Sequence, residues 1–259
     1  MKNSERVALV TAATSGIGAA IAAALAAREM KVVISGRSKL KGEAAAAAID
    51  PQGRVSFIAA DALCQKDMEA LIERVIAKHG RLDVLVNNAG GSSGFAPVHE
   101  LQDAAWIEAF HWNVSSAFWA TRCALPHMLE QSYGRIINMS SVQGKQVNRP
   151  NASHYVMAKH ALNGFTKAVA HEYGAAGITC NALCVGAVET DLMRTAGARA
   201  SQAAGISYEE YKQRYADLTK TGRLTTAEEV AAMAVLLASE IGGGITGAII
   251  NVDGGTCPY

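Results

Sequence analysis

Tyr155 and Lys159 stand four residues apart, and Ser141 lies fourteen residues before Tyr155. On a helix, positions i and i+4 share a face, so the Lys159 ammonium can stand beside the Tyr155 phenol. A neighbouring positive charge favours phenolate and pulls the phenol below its ordinary value near about 10. A tyrosine tuned in this way can give or take a proton near neutral pH. Ser141 can hydrogen-bond the same reacting oxygen. Together the three side chains suggest proton movement on and off a carbonyl or alcohol oxygen. A Y-x-x-x-K pair alone is most often a solvated helix face; its weight here comes from a glycine-rich loop on the same chain.

That loop reads Thr11-Ala12-Ala13-Thr14-Ser15-Gly16-Ile17-Gly18, between a strand-like run and an Ala-rich helical run. Glycines at such a turn let backbone N–H groups approach a pyrophosphate at a helix N-terminus. Thr14, Ser15, Gly16, Ile17 and Gly18 are therefore candidate cofactor contacts; the bland reading is a tight turn. After the second strand come Gly36, Arg37 and Ser38. NAD-binding units usually carry an acid there for the ribose 2′-hydroxyl. A guanidinium instead suits a 2′-phosphate through paired hydrogen bonds, which points to NADP(H). The bland reading of Arg37 is a turn decoration.

These residues need a scaffold, and the pattern supplies one. Strand-like runs at 6–11, 31–35, 54–59, 82–87, 134–140, 178–184 and 248–252 alternate with helical runs. The helical runs are 16–28, 39–49, 65–79, 104–130, 153–173 and 227–239. Apolar strands alternating with helices imply an α/β fold, a parallel sheet of about seven strands with helices on both faces. Right-handed crossovers make it doubly wound, with ligands at the carboxyl ends of the strands near the switch point. No linker or repeat divides residues 1–259, so a single domain is expected. Residues 195–221 break the alternation, and a lid over the pocket is expected at about 191–221.

The chain has 259 residues, half of them apolar, and a formal charge of +1. That balance gives no reason to expect nucleic acid or an anionic membrane as partner. No run reaches the length of a membrane span, and the N-terminus lacks the apolar stretch of a signal peptide. Cys64, Cys123, Cys180, Cys184 and Cys257 are odd in number and form no C-x-x-C, which suits reduced thiols and a cytoplasmic location. Cys180 and Cys184 lie in a strand-like run with no further ligand at metal spacing, so no metal is expected.

With these motifs in order, the chain resembles the short-chain dehydrogenases/reductases over nearly its whole length. The loop matches the family's T-G-x-x-x-G-x-G, except that Ala12 replaces the first glycine. Asn87-Asn88-Ala89-Gly90 matches N-N-A-G, and Asp61, followed by Ala62, matches the acid near the adenine. Asn113, Ser141, Tyr155 and Lys159 match the catalytic tetrad. In Val185-Gly186-Ala187-Val188-Glu189-Thr190 the family's proline is replaced by Val185, while Gly186, Val188 and Thr190 keep register. Asn251-Val252-Asp253-Gly254-Gly255 is also family-like. The segment between Ser141 and Tyr155 is one residue longer than the common spacing.

The resemblance implies a doubly wound (Rossmann) domain that interconverts a ketone and a secondary alcohol with NADP(H). Tyr155 would carry the proton and Ser141 would position the oxygen. Lys159 would tune Tyr155 and hold the nicotinamide ribose, and Asn113 would hold a water leading to solvent. Asn88, Ala89 and Gly90 would border the cofactor. Ser92, Gln143, Asn148, His154 and Met193 are candidate substrate-wall residues, although His154 also reads as an ordinary helix start. Trp106, Trp112 and Trp119 read as core or subunit interface. Two subfamily resemblances compete. One is 3-oxoacyl-carrier-protein reductase, and the other is aromatic polyketide ketoreductase, the latter through Gly144-Lys145-Gln146, Ala158-Lys159-His160, Gly164-Phe165-Thr166-Lys167 and Tyr259. The segments Glu130-Gln131-Ser132-Tyr133 and Glu172-Tyr173-Gly174-Ala175-Ala176 are not basic. That favours a free small-molecule carbonyl or alcohol over an acyl thioester on a carrier or coenzyme A. Epimerisation, dehydration and a non-catalytic NADP sensor or scaffold are the other classes. A homotetramer is expected through the long helices, with a dimer as the alternative.

Overall fold

The computed structural model describes residues 3–257, so Tyr259 lies outside the described residues. Seven strands form one sheet, β1 (Val7–Val10), β2 (Lys31–Gly36), β3 (Val55–Ala59), β4 (Val84–Asn87), β5 (Gly134–Ser141), β6 (Ile178–Val185) and β7 (Ile249–Val252). Their order is β3-β2-β1-β4-β5-β6-β7, and every pairing is parallel. The order reverses between β1 and β4, which opens a crevice at their carboxyl ends. The α/β, doubly wound sheet expected from the alternation is the observed fold.

Helices cover both faces because the central strands are apolar on both sides. All four residues of β1 and of β4 are buried. On one face, α1 (Gly16–Ala26), α2 (Lys39–Ile49) and α9 (Ala227–Ala238) pack over Val10, Ile34, Val86 and Leu183. Ala22 and Ala26 of α1 and Ala231 and Ala234 of α9 are small, so these two helices approach closely. On the other face, α3 (Gln65–His79), α5 (Ser116–Gln131) and α6 (Ser153–Tyr173) pack over Leu9, Val33, Leu85 and Ile136. Removing a buried leucine such as Leu85 from either layer costs about 2–5 kcal/mol.

The long helix predicted at 104–130 is not continuous. It runs as α4 (Asp103–Phe110), a wide i→i+5 turn at His111–Ser115, and α5. Such insertions cluster at functional sites because they re-aim side chains without ending the helix. The segment 191–221 carries two helices, α7 (Asp191–Ala203) and α8 (Tyr208–Ala216), held together by Tyr208 and Tyr211 packed on Gly197.

Beneath the crevice, polar side chains tie adjacent strands. Asn87 and Asn138 face each other across β4 and β5, and the Asn87 amide donates to Asn138 Oδ1 at 2.8 Å. Asn138 in turn donates to Thr166 Oγ1 of α6 at 2.9 Å. Buried amides paired this way fix the relative height of strand and helix.

Candidate active site

Ser141 is the last residue of β5, and Tyr155 and Lys159 lie one turn apart at the start of α6. Tyr155 is half-buried and its hydroxyl hydrogen-bonds Ser141. Lys159 is buried; its Nζ donates to the Met139 carbonyl at 2.8 Å and lies 5.6 Å from the centre of the Tyr155 ring. The sheet and the helix thus bring together three of the residues singled out by spacing.

The electrostatics differ from the simple expectation of an ammonium that lowers the phenol. Burial pushes the Tyr155 hydroxyl up, opposed by the Ser141 hydrogen bond and then by the charge of Arg149. Burial also lowers Lys159 to about 8. Both groups lose solvation together, and the ammonium points to the Met139 carbonyl, so desolvation outweighs attraction. Tyr155 is therefore held as the protonated phenol at neutral pH.

Asn113 sits in the wide turn and is fully buried. Its Nδ2 donates to Gly91 O at 2.7 Å and to Ala109 O at 2.8 Å, while its Oδ1 accepts from Gly91 N at 3.2 Å. This clamps the segment that follows β4 against the helix. Gly90 fits between, since a methyl there would lie 2.7 Å from Asn113 Oδ1 and 3.1 Å from Lys159 Nζ.

The glycine-rich loop follows β1. Thr11 Oγ1 accepts from the N–H groups of Asn88 and Ala89, both at 3.0 Å. Asn88 Nδ2 donates to the carbonyls of Thr11 at 2.9 Å and Ala12 at 3.0 Å. A methyl on Gly18 would lie 2.6 Å from Asn88 Nδ2 and 2.8 Å from Ala13 Cα, so only glycine fits that contact. Ala12 stands at φ +50°, a left-handed conformation that the family's glycine adopts without penalty.

The surroundings suit a dinucleotide. Ser15 precedes α1 but makes no side-chain cap, which leaves first-turn N–H groups open to phosphate. Thr14 and Ile17 flank it, and Gly16 lies against Thr190, which caps α7 through Met193 N at 3.2 Å. Gly36 approaches Thr14, and Ser38 caps α2. Between them the exposed Arg37 guanidinium makes no hydrogen bond or ion pair with any described residue. Asp61, beyond β3, accepts from Leu63 N at 3.0 Å, with Ala62 between. Gly186 donates to Val252 O at 3.1 Å, and Val188 is buried.

The proposed substrate wall divides in two. Ser92 Oγ and His154 Nε2 bond each other at 2.6 Å, and His154 is fully buried, so it braces the 91–95 loop. Gln143 is buried and its Nε2 donates to exposed Asn148 Oδ1, leaving Gln143 Oε1 without a partner. Met193 is half-buried on α7. Trp112 lies against Gly91, Trp119 packs on the second core and Trp106 is exposed. The backbone acceptor Met139 O and the side chains Phe95 and Arg149 were not singled out from sequence. The carbonyl carries no residue signature, whereas Arg149 beside Pro150 in the lengthened loop was a legible clue.

Comparison with known proteins follows this geometry. The family model described as short chain dehydrogenase matches residues 6–201. The D-beta-hydroxybutyrate dehydrogenase of Cupriavidus necator is 38% identical over 252 residues, covering 96% of this chain and 97% of that protein. The 3beta-hydroxysteroid dehydrogenase of Mediterraneibacter gnavus is 37% identical over 266 residues, covering 98% of this chain and 96% of that one. Among solved structures, a variant of actinorhodin polyketide ketoreductase with NADPH superposes with a TM-score of 0.93 at 35% identity, covering 100% of both chains.

Proposed function

The chain belongs to the short-chain dehydrogenase family, and from that premise we propose that it is an NADP(H)-dependent oxidoreductase interconverting a ketone and a secondary alcohol at Ser141, Tyr155 and Lys159. As a member it is an oxidoreductase that acts on hydroxyl and carbonyl groups of a small molecule with a nicotinamide cofactor. The observation that carries the finer reading is the Tyr155 hydroxyl hydrogen-bonded to Ser141, with buried Lys159 Nζ 5.6 Å from the ring centre.

Thr14, Ser15, Gly16, Ile17 and Gly18 would hold the pyrophosphate, and Asp61 and Ala62 would flank the adenine. Asn88, Ala89, Gly90, Gly186, Val188 and Thr190 would line the remainder. Gly36, Arg37 and Ser38 would take the 2′-phosphate, and the unpaired Arg37 supports NADP(H) over NAD(H). Bound there, the nicotinamide would supply or accept hydride at the substrate carbon.

The side chains do the rest. Ser141 donates a hydrogen bond to the carbonyl oxygen and orients it. Tyr155, kept protonated by burial, gives its proton as that oxygen gains charge. Lys159 then stabilises the phenolate, since its ammonium is the nearby cation and becomes far better paired once the phenol ionises. Asn113 keeps the Gly91 segment in place, so the wall opposite Tyr155 does not drift. The reverse path oxidises an alcohol. We read the protein as cytoplasmic and tetrameric, with segment 191–221 closing over the substrate.

Initial rates with NADPH and NADH across ketones, oxo esters, acyl thioesters and quinones test this reading. NADPH-dependent turnover that falls about 10²–10⁴-fold in Tyr155→Phe, with cofactor affinity held within about twofold, is the expected result. Full activity in that variant would remove Tyr155 from the mechanism. A second reading, reduction of a 3-oxoacyl thioester, draws on the likeness to a polyketide ketoreductase; turnover restricted to thioesters would select it.

A further inference from the structure

Arg149 stands at the substrate end of the crevice. It is exposed, and its guanidinium makes no hydrogen bond or ion pair with any described residue. It is nevertheless held in place. Its Cζ lies 4.4 Å above the Phe95 ring, and that ring packs edge-on against His154 at 5.4 Å. Pro150 follows, which disfavours helical backbone at Arg149. The guanidinium therefore bridges the two loops that form the mouth of the site, one after β4 and one between Ser141 and Tyr155. Its charge acts both on Tyr155 and on Tyr211 of α8. The acids on flanking segments are engaged elsewhere, Glu108 by Ser93 at 2.9 Å and Glu189 by Arg194 and Lys212.

The same mouth holds a second unsatisfied group. Gln143 is 8% exposed and leaves one amide atom without a partner. Turning its amide over together with that of Asn148 keeps their mutual hydrogen bond and frees an N–H donor instead. A guanidinium held in place on the same loop as such an amide donor suits a planar anion.

We propose that Arg149, assisted by Gln143, anchors the carboxylate of the substrate, so that the compound turned over at Tyr155 is a free oxo acid or the corresponding hydroxy acid. The inference rests on the reductase reading above and specifies its substrate class. In the reducing direction the carbonyl carbon gains hydride from the reduced cofactor, the oxygen gains the Tyr155 proton, and the cofactor leaves oxidised. The carboxylate takes no part in the bond changes. It fixes the distance between the anion and the reacting carbon.

The test uses full-length wild type, Arg149→Met and Arg149→Lys with NADPH. The substrates are a short oxo acid, its methyl ester, an oxoacyl coenzyme A thioester and the matching N-acetylcysteamine thioester. Wild type should prefer the acid over the ester in kcat/KM. Arg149→Met should lose about 10- to 100-fold on the acid, leave the ester within about twofold, and Arg149→Lys should recover part of the loss. Binding of a saturated acid that cannot be reduced, followed by tryptophan fluorescence of the NADPH-bound protein, should weaken in step. Equal rates on acid and ester, or equal losses on both in Arg149→Met, would overturn the anchor while leaving the reductase intact. A preference for the coenzyme A thioester over its short analogue that vanishes in Arg149→Met would assign the guanidinium to a phosphate and also overturn the carboxylate. Were no carbonyl turned over by wild type, the reductase reading would fall, and the fluorescence titration would still decide on Arg149.

Discussion

Lys159 Nζ lies 5.6 Å from the centre of the Tyr155 ring, and burial drives both side chains toward their neutral forms. The arrangement leaves a signature in stability against pH. Lys159 falls from 10.5 to about 8 in the folded protein. Below that folded value both states carry the proton and the cost of burying the ammonium is fully present. Between there and 10.5 only the unfolded chain carries it, so stability rises with pH across that window. Half-buried Cys123 and buried Cys180 and Cys184, all raised by desolvation, act in the opposite sense as unfolded thiols ionise. The difference between wild type and Lys159→Met isolates the lysine. Urea unfolding of the cofactor-free protein should show wild type gaining about 2 kcal/mol on the variant from pH 7 to pH 10. A flat difference would show that Lys159 is not desolvated.

Ala12 at φ +50° predicts a stabilising substitution. Glycine there relieves a left-handed strain of about 1–2 kcal/mol and adds back roughly 0.5–1 kcal/mol of unfolded-state freedom. Ala12→Gly should gain about 0.5–1 kcal/mol in urea unfolding, or a few degrees in Tm. Ala12→Val should lose more than that gain, because a β-branched side chain tolerates positive φ poorly.

Arg37 predicts a split between cofactors. Arg37→Ala should raise KM for NADPH about 10- to 100-fold and leave KM for NADH within about twofold, since only the former carries the 2′-phosphate. Equal effects on both would assign Arg37 to the fold of the turn.

Gly90 predicts a loss of rate without a loss of fold. A methyl there would press on Asn113 Oδ1 and on Lys159 Nζ, the two groups that frame the cleft floor. Gly90→Ala should stay folded and lose about 1–3 kcal/mol in urea unfolding, the usual scale of overpacking, while kcat drops at least tenfold. Unchanged kcat would mean that the contact relaxes freely.

Much of this was legible from residue order. Strand and helix boundaries followed the apolar periodicity to within a few residues because both faces of β1 and β4 are buried and read as unbroken apolar runs. Ser141, Tyr155 and Lys159 were legible because their spacing survives translation into one strand end and one helix face. Three things were not. The break in the helix at His111–Ser115 has no proline or glycine to announce it; the bonds of Asn113 to Gly91 and Ala109 that accompany it exist only in the folded chain. The upward push on Tyr155 depends on how deeply it is buried, which spacing does not carry. His154 read either as a substrate-wall residue or as an ordinary helix start, and its burial and its bond to Ser92, which sequence does not carry, put it inside.

The wide turn also sets a phase. It adds one residue to an otherwise regular helix, so every side chain from Ser116 onward is rotated by about 100° from where an uninterrupted helix would place it. Ala120, Ala124 and Met128 reach the sheet only because of that offset. A chain lacking one residue between His111 and Ser115 would make a straighter helix with better local hydrogen bonds, and would present a different stripe to the core. The segment is thus a vernier between two halves of one helix: it lets the first half be aligned to the reaction and the second half to the sheet, each independently of the other.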